Sequence, residues 1–524
     1  MKKIFSALII SVLIVCLCAT FCACNTNNDP QVDPTDDNYR VFYQIFVGSF
    51  SDSDGDGVGD LRGIINRMDY LNDGNINSGK SLGVQGIWLS PIFTSPSYHK
   101  YDSANYYEID SKFGTKEDLQ ELLEICHQRN VKVILDLVLN HSSKENEWFK
   151  EFKRARLNYE VDNEYYDYYT CVTRDERVNG ITYYPLITNS DYFFEGNFSS
   201  DMPEFNYDNE VVRQKMVDVA KYWLDLGVDG FRFDAIKYIY FGNTTKSASF
   251  WDWYMQQLRA IKPDIYTVGE CWSGDSEVLQ YYSATNCFNF TTSGAESSIV
   301  KAARNGDIDS FTNYVQSIQR SIKNANPNGM YVPFLANHDM DRAAGFLSVS
   351  TGNAYMAANL YLLCSGSPFI YYGEEIGMKG TRGSANTDAN RRLAMLWGDG
   401  DTVSDPEGAT FGADKQINGT VAEQLAAEDS LLNYYAKVIA MRIKYPQIAR
   451  GDYSAITLDA NGVGGFVIEF NGEKTCLLHN VSSEAVEIDL PEGFATLCDF
   501  VGLGSAKLAN GKLTIGAQTS VILK

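Results

Sequence analysis

Short apolar runs alternate with longer amphipathic stretches through most of the chain. Such runs predict buried β-strands. They occur at Tyr43–Phe46, Gly86–Ser90, Lys132–Val138, Gly230–Asp234, Tyr266–Glu270, Cys287–Phe290, Phe334–His338 and Pro368–Tyr372. Between them, stretches such as Thr115–Arg129 and Asn209–Leu226 have the apolar spacing of helices. Eight strands alternating with helices predict an α/β fold, a (β/α)8 TIM barrel. A doubly wound sheet is the alternative, but no Gly-rich phosphate loop follows the first strand.

Two regions depart from this alternation. The connection from His141 to about Phe205 is rich in Tyr, Asn and Asp and shows no clear helix. Because it is too long for one loop, we interpret residues 141–205 as a domain inserted after the third strand. From residue 446 to 524, short alternating runs with Gly- and Asn-marked turns predict a C-terminal antiparallel β-domain. We therefore assign residues 39–140 and 206–445 to the barrel.

The N-terminus has the layout of an export signal. Lys2 and Lys3 precede an apolar run that ends near Ala23. An uncleaved membrane anchor is the competing interpretation, since the run is almost long enough to span a bilayer. Cys24 and the three residues before it resemble a bacterial lipobox, and residues 24–38 resemble a polar tether. We therefore expect residues 1–23 to be a lipoprotein signal peptide and the exported protein to be attached to the membrane surface through lipidated Cys24. A Cys24→Ser variant that fractionates like the parent would exclude this anchor.

Composition narrows the possible partners. The 524 residues carry a formal net charge of −23, which repels phosphate backbones and excludes nucleic acid as a partner. A hydrophobic fraction of 44% is that of a globular chain with a sizeable core. Seven cysteines follow the leader without any C-x-x-C pair, and this odd number argues against a complete disulfide framework. A pair between Cys476 and Cys498 remains open.

Polar residues cluster where four of the predicted strands end. The clusters are Asp136–His141, Gly230–Asp234, Gly269–Glu270 and Asn337–Asp339. A single Asp at a strand end is more often a helix N-cap than a catalyst. Four clusters at four strand ends are harder to explain by capping, because the C-terminal ends of barrel strands carry the active site in this fold.

The residue types in these clusters suit glycoside hydrolysis. That reaction needs an ionised carboxylate near the anomeric carbon and a protonated carboxyl at the leaving oxygen. Arg232 lies two residues before Asp234, so both side chains should share one face of a strand, and the guanidinium should favour the ionised carboxylate. Crowding by other carboxylates should keep the proton on Glu270. There is no H-E-x-x-H and no Cys cluster to bind zinc.

These four segments, in this order and spacing, resemble the conserved regions of the α-amylase family, glycoside hydrolase family 13. The resemblance covers nearly the whole chain after the leader. It implies a (β/α)8 barrel with an inserted domain after strand three and a C-terminal antiparallel β-sandwich. It also implies retention of anomeric configuration through a covalent glycosyl-enzyme.

The resemblance assigns roles to individual residues. By motif, Asp234 resembles the nucleophile, Glu270 the acid/base and Asp339 the transition-state stabiliser. The residues that resemble the lining of the cleaved sugar's subsite are Arg232, His141, His338 and the stacking aromatic Tyr101, with His99 in the same segment as Tyr101. Lys237 resembles the lysine that contacts sugar beyond the cut.

An acidic loop follows the first strand. Four Asp within nine residues alternate with Gly, and such oxygen-rich loops suit Ca²⁺. The loop is not a complete EF-hand because Gly63 stands at position 12. A solvated acidic turn is the alternative, but it leaves four carboxylates repelling one another. The loop also resembles a calcium site of the family, whose ligands would be Asp52, Asp54, Asp56, the Val58 carbonyl and Asp60. A second site at Asn140 is left open.

The resemblance predicts endo-cleavage of α-1,4 bonds in starch and maltooligosaccharides. The sequence does not determine the oligomeric state, for which we favour a monomer. Lys237 favours an α-amylase, and Tyr98 stands where α-glucosidases tend to place an Asp. Against this, Tyr238 replaces the usual His, and Met202–Asn206 resembles a motif of enzymes between oligo-1,6-glucosidases and neopullulanases. A neopullulanase- or α-glucosidase-like enzyme with mixed linkage or transfer activity is the alternative. A non-catalytic glucan-binding protein is disfavoured because all three carboxylates are present.

Overall fold

The computed structural model describes residues 35–412 and 418–524. The predicted signal peptide, Cys24 and most of the predicted tether lie outside the described residues. Within the described ranges, none of the helices has the length and apolar character needed to cross a membrane.

The core of the described chain is a parallel sheet curled into a barrel. Its strands are Phe42–Ile45, Gly86–Leu89, Lys132–Leu137, Gly230–Phe233, Tyr266–Gly269, Asn286–Cys287 and Phe369–Tyr371. They lie side by side in chain order, and the last strand pairs with the first. Their residues are almost all buried, because helices cover one face and the packed barrel interior covers the other.

At the seventh barrel position, the chain pairs with its neighbouring strands through isolated β-bridges instead of a continuous strand. The prediction of a strand over Phe334–His338 was therefore wrong in extent. Val332 bridges Phe288 on one side, and Phe334 bridges Phe369 on the other. Pro333 between them has no N–H to donate, so it interrupts the ladder, while its carbonyl accepts from the Phe369 N–H at 3.0 Å. These bridges close the predicted (β/α)8 barrel.

Aromatic side chains fill the barrel interior and form the floor of the cleft above it. Phe42, Phe288 and Phe369 pack together with Trp88 there. The first two strands approach closely at this layer, since a Cβ on Gly86 would lie 2.4 Å from the Phe42 ring. The floor is therefore rigid beneath the charged groups at the C-terminal ends of the strands.

The helices begin and end close to the predicted residues. The α-helices of the described residues are Leu61–Asn66, Met68–Leu71, Lys116–Gln128, Glu147–Leu157, Glu210–Asp225, Thr244–Ile261, Asp275–Val278, Ser298–Asn305, Ile308–Ala325, Asn353–Leu362, Val421–Ala426, Leu431–Lys444 and Gln447–Arg450. Thr115 and Asn209 were predicted as first helical residues but are N-caps. Their side chains accept the backbone N–H of Asp118 and Val211, which fixes both helix starts.

Residues 141–205 form a separate layer after the third barrel strand. They contain an antiparallel sheet of the strands Cys171–Thr173, Tyr183–Pro185 and Tyr192–Glu195, with the last strand in the middle. The prediction that this segment lacks a helix was wrong, because Glu147–Leu157 is helical. Its buried face is short, at Phe149, Phe152 and Ala155, and charged residues surround it in the sequence.

The C-terminal region folds into two antiparallel sheets. One contains Asp452–Thr457, Val463–Phe470, Glu473–Asn480, Thr519–Leu523 and Leu497–Gly502, and the other contains Val486–Asp489, Lys512–Ile515 and Ala506–Ala509. Apolar residues of both sheets, such as Leu478 and Leu513, share one buried core, which makes this region a β-sandwich. The seven cysteines of the described ranges are free thiols, so Cys476 and Cys498 are not paired.

Candidate active site

A cleft of about 780 Å³ opens at the C-terminal ends of the barrel strands. The sequence-predicted residues that line it are His99, Tyr101, His141, Asp234, Glu270 and Asp339. Arg232 and His338 have no exposed surface and lie beneath this lining. The structure therefore brings together the residues predicted from four separate strand ends.

Arg232 joins three carboxylates at the bottom of the cleft. Its Nη1 lies 2.6 Å from Asp234 Oδ1 and 2.9 Å from Asp136 Oδ1. Its Nη2 lies 3.3 Å from Glu270 Oε2. The predicted shared face of Arg232 and Asp234 is confirmed, because side chains two residues apart on a strand point the same way. One positive charge faces three carboxylates, so at least one of them gains from holding a proton.

Burial and mutual repulsion raise the pKa of all three of these carboxyls. Burial raises the pKa of Asp234, and Arg232 lowers it by less, so the net direction is upward. Arg232 thus favours the ionised form of Asp234, as predicted, but does not outweigh burial. The pKa of Glu270 is also raised by burial against the lowering effect of Arg232, and the charges of Asp234 and Asp339 raise it further.

A left-handed turn fixes Glu270 against the fourth strand end. Ala235 has a φ of 47°, a conformation that costs an L-residue about 1 kcal/mol. In this conformation its backbone N–H donates to Glu270 Oε2 at 2.9 Å. Backbone strain of this kind is often concentrated at functional sites.

Asp339 keeps its charge by a different arrangement. Its Oδ1 lies 2.7 Å from Arg392 Nη2, and its Oδ2 lies 3.1 Å from His338 Nε2. Burial alone would raise the pKa of Asp339, but His338 and Arg392 together hold it well below its ordinary value. Asp339 is therefore an anion across the physiological pH range.

A buried hydrogen-bond chain orients His338 and Tyr101. Gln44 Nε2 lies 2.7 Å from His338 Nδ1, and Tyr101 Oη lies 2.6 Å from His338 Nε2. The Tyr101 hydroxyl also donates to Asp136 Oδ2 at 2.9 Å. Burial raises the pKa of Asp136 to about 7, against the lowering effect of Arg232. Asp136 thus supports both Arg232 and Tyr101 without lining the cleft.

His141 offers a nitrogen to the cleft. Burial lowers the pKa of His141 to about 4, so its ring is neutral at neutral pH. Its Nε2 is buried and has no hydrogen-bond partner among the described residues. Burial likewise lowers the pKa of His99 to about 4, and its Nδ1 accepts from the Tyr101 N–H at 3.1 Å. An unpartnered buried nitrogen at a cleft wall is suited to bind a hydroxyl group of a ligand.

Lys237 lies outside the lining of the cleft. Its Nζ donates to the Trp272 carbonyl at 2.7 Å, which fixes the loop that follows Glu270. Tyr238 next to it packs on Phe198 and stacks on Phe241, with ring centroids 4.6 Å and 4.7 Å away. The predicted contact between Lys237 and sugar remains a prediction.

Sequence reasoning missed several residues of the site. They are Asp136 beneath the cleft and Phe198, Trp272, Arg391 and Arg392 in its lining. Asp136 was within a recognised strand-end cluster, so its position was a usable signal. Phe198 comes from the inserted segment and Arg392 from the long loop after the last barrel strand, and neither region has a spacing pattern that points to the cleft.

Part of the acidic loop converges in space. Carboxylate oxygens of Asp52, Asp54 and Asp60 all lie within 4.8 Å of one another. Asp56 is outside this group, and its Oδ1 accepts the Val58 N–H at 2.7 Å. Asp60 is also the N-cap of helix Leu61–Asn66. Three converging carboxylates fit a hard divalent cation such as Ca²⁺.

The fold and the site together define a glycoside hydrolase: a parallel barrel whose mouth carries three carboxylates, a buried arginine and neutral imidazoles. Residues 44–451 match the family model described as the α-amylase catalytic domain. The chain belongs to the α-amylase family, glycoside hydrolase family 13.

Known relatives carry more than one activity name. A protein named Alpha-amylase 3 from Dictyoglomus thermophilum is 33% identical over 89% of each chain. The solved structure of Eubacterium rectale Amy13B is 34% identical, covers 95% of this chain and 97% of its own, and has a TM-score of 0.86. An oligo-1,6-glucosidase of Bacillus cereus is 28% identical over 83% of this chain and 89% of its own.

Proposed function

We propose that this protein is a retaining hydrolase that cleaves internal α-1,4-glucosidic bonds of starch and maltooligosaccharides. The proposal rests on one observation. Asp234 and Glu270 both contact Arg232 at the bottom of the cleft, and Asp339 is held anionic beside them. The similarity to a relative named α-amylase supports the choice of substrate.

In the first step, Asp234 attacks the anomeric carbon from one face of the sugar. The bond to the leaving oxygen breaks, and that oxygen takes the proton from Glu270. In the second step, Glu270 removes a proton from water, the water oxygen attacks the same carbon, and the Asp234 carboxylate leaves. Two inversions give net retention of configuration.

The neighbouring groups assist the charge changes of these steps. The anionic Asp339 stabilises the positive charge that develops on the sugar ring in the transition state. Arg232 stays charged in the buried floor and stabilises the Asp234 carboxylate before attack and after release. The neutral His141 provides a hydrogen bond to a sugar hydroxyl without adding positive charge near the oxocarbenium-like centre, and the buried His338 holds Tyr101 and Asp339 in place.

The second candidate is an enzyme of mixed α-1,4 and α-1,6 specificity, or a transglycosylase. The resemblance of Met202–Asn206 to the motif of enzymes between oligo-1,6-glucosidases and neopullulanases and the similarity to an oligo-1,6-glucosidase favour it, while Glu204 and Phe205 depart from that motif. Tyr98 favours the first candidate. An exo-acting enzyme would need a group at this position to bind the end of the glucan chain, whereas the Tyr98 hydroxyl accepts a hydrogen bond from Arg392 Nη1 at 3.0 Å.

A time-resolved product profile on amylose, pullulan and cyclodextrins, with detection of the anomer released, distinguishes these candidates. Endo-hydrolysis of α-1,4 bonds predicts early mid-length oligomers of α configuration from amylose and little reaction on pullulan. Glucose as the sole product would favour an α-glucosidase. Products longer than the substrate would favour a transferase, and β-anomers would exclude the retaining mechanism.

We also propose that Ca²⁺ binds the loop of Asp52, Asp54 and Asp60. A bound ion would neutralise the repulsion among these carboxylates and tie the loop to the segment after the last barrel strand, since Thr402 donates to Asp52 Oδ2 at 2.7 Å. Chelation is therefore expected to lower the melting temperature by a few degrees.

Asp54→Asn provides the matched control for this prediction. Asp54 is exposed, so the variant should melt below the parent in Ca²⁺ but at or above the parent in EDTA, because it removes repulsion when no ion is present. Calorimetric titration with Ca²⁺ gives a second readout. A parent whose melting temperature is unchanged after prolonged warm incubation with EDTA would contradict the proposal.

A further inference from the structure

A strained tyrosine stands on the outer surface of the inserted domain. Tyr159 follows the helix Glu147–Leu157 and has a φ of 58°, in the left-handed region. Its N–H donates to the Arg156 carbonyl and the Glu160 N–H donates to the Ala155 carbonyl, which is the hydrogen-bond pattern of a helix C-terminus that favours Gly or Asn. Tyrosine at this position therefore costs folding stability.

The ring gains no compensating burial. Tyr159 is 68% exposed, and its ring contacts Tyr192 edge to face, with centroids 6.1 Å apart and an interplanar angle of 65°. The two rings form an open corner. The chain neighbours of Tyr159 are polar, and the Asn158 and Asn163 amides both donate to Glu160. A strained and exposed aromatic side chain indicates a function other than packing.

We propose that Tyr159 and Tyr192 form a binding site for an α-glucan chain outside the cleft. This inference rests on the proposed function, because it takes the polymeric substrate as the ligand. A glucose ring has an apolar face of C–H groups that packs on an aromatic ring, and hydroxyls on its rim that pair with amides and carboxylates.

The position of the site relates it to the cleft. Tyr192 begins the strand Tyr192–Glu195, and the chain then continues to Phe198 in the cleft lining. Six residues of extended chain span at most about 20 Å, so one glucan of several units can occupy both sites. The second contact raises the effective concentration of the polymer at the cleft without contributing to the chemistry. A formal net charge of −23 favours a neutral ligand over an anionic one.

The decisive variant is Tyr159→Gly, because stability and binding should change in opposite directions. Glycine is favoured at a left-handed C-terminal helix position, so the variant should melt at or above the parent. Its affinity for amylopectin should fall at least about threefold. This affinity is measured by retardation in polysaccharide-containing gels, with cleavage blocked by Asp234→Asn. With Asp234 intact, KM for soluble starch should rise while kcat/KM for maltotriose is unchanged.

Three further variants separate a binding role from other effects. Tyr192→Ala should weaken amylopectin retardation, and Tyr159→Phe should retain most of it, because the ring face is kept. Phe500→Ala, which removes a 44% exposed ring from the C-terminal domain, is the matched control and should leave retardation unchanged. Equal retardation of Tyr159→Gly and the parent, or an equal loss in Phe500→Ala, overturns the proposal. Failure of the parent to cleave any α-glucan would instead overturn the proposed function.

Discussion

Replacing Asp234 by Asn is expected to abolish starch hydrolysis, with a loss of at least about 10⁴-fold in kcat. The amide is nearly the same size as the carboxylate but is not a nucleophile. Arg232 keeps its contact with Asp136 at 2.9 Å, so the buried guanidinium is not left without a counter-charge. The fold should therefore persist, and thermal unfolding should show a cooperative transition close to that of the parent.

A chemical rescue experiment sharpens this prediction. Asp234→Ala leaves room for a small anion, and added azide should restore cleavage of an activated α-glucosyl substrate and give a glycosyl azide of inverted configuration. Retention of a tenth of the parent activity by Asp234→Asn would contradict the assignment of Asp234 as nucleophile. Asp208→Asn, an exposed carboxylate on the barrel surface, is the control and should leave kcat unchanged.

Glu270→Gln is expected to cost at least about 10³-fold in kcat on starch, where the leaving oxygen needs a proton. With a substrate whose leaving group is a weakly basic phenol, the loss in the first step should be much smaller. A difference of at least tenfold between these two losses identifies a proton donor. Equal losses on both substrates would indicate that Glu270 serves another purpose.

The pH profile gives an independent test of the same role. The pKa of Glu270 is raised by burial and by its anionic neighbours, so the protonated form that donates to the leaving group is lost as the pH rises through that pKa. The parent should therefore show a falling alkaline limb in kcat/KM for starch. Glu270→Gln with the activated substrate should lack this limb, because the group that titrates has been removed.

The elements of the barrel could be predicted from local patterns. Apolar runs located the strands because both faces of each strand are covered, and Thr115 and Asn209 mark helix starts because their side chains accept a backbone N–H. The seventh barrel position was misplaced because Pro333 removes a donor, and only the neighbouring strands show how the ladder continues around it. The helix Glu147–Leu157 was missed because its buried face has only three residues.

The site was predictable to a similar degree. The two-residue spacing of Arg232 and Asp234 on a strand is local, and the structure places both on one face. The contact of Arg392 with Asp339 joins residues that are 53 positions apart, and no periodic pattern in the sequence predicts this contact. The same is true of Phe198, which reaches the cleft from a separate layer.

The sequence by itself determined the barrel, its family and the residue types available for catalysis, because these depend on local hydrophobic period and on motifs at strand ends. Only the tertiary structure decided how charge is distributed among those residues. A buried carboxyl gains or loses its proton according to which distant groups fold against it. Arg232 faces three carboxylates while Asp339 has Arg392 and His338. That difference in pairing, set by long-range packing, raises the pKa of the carboxyls that share Arg232, Glu270 among them, and leaves Asp339 as the group that stays charged.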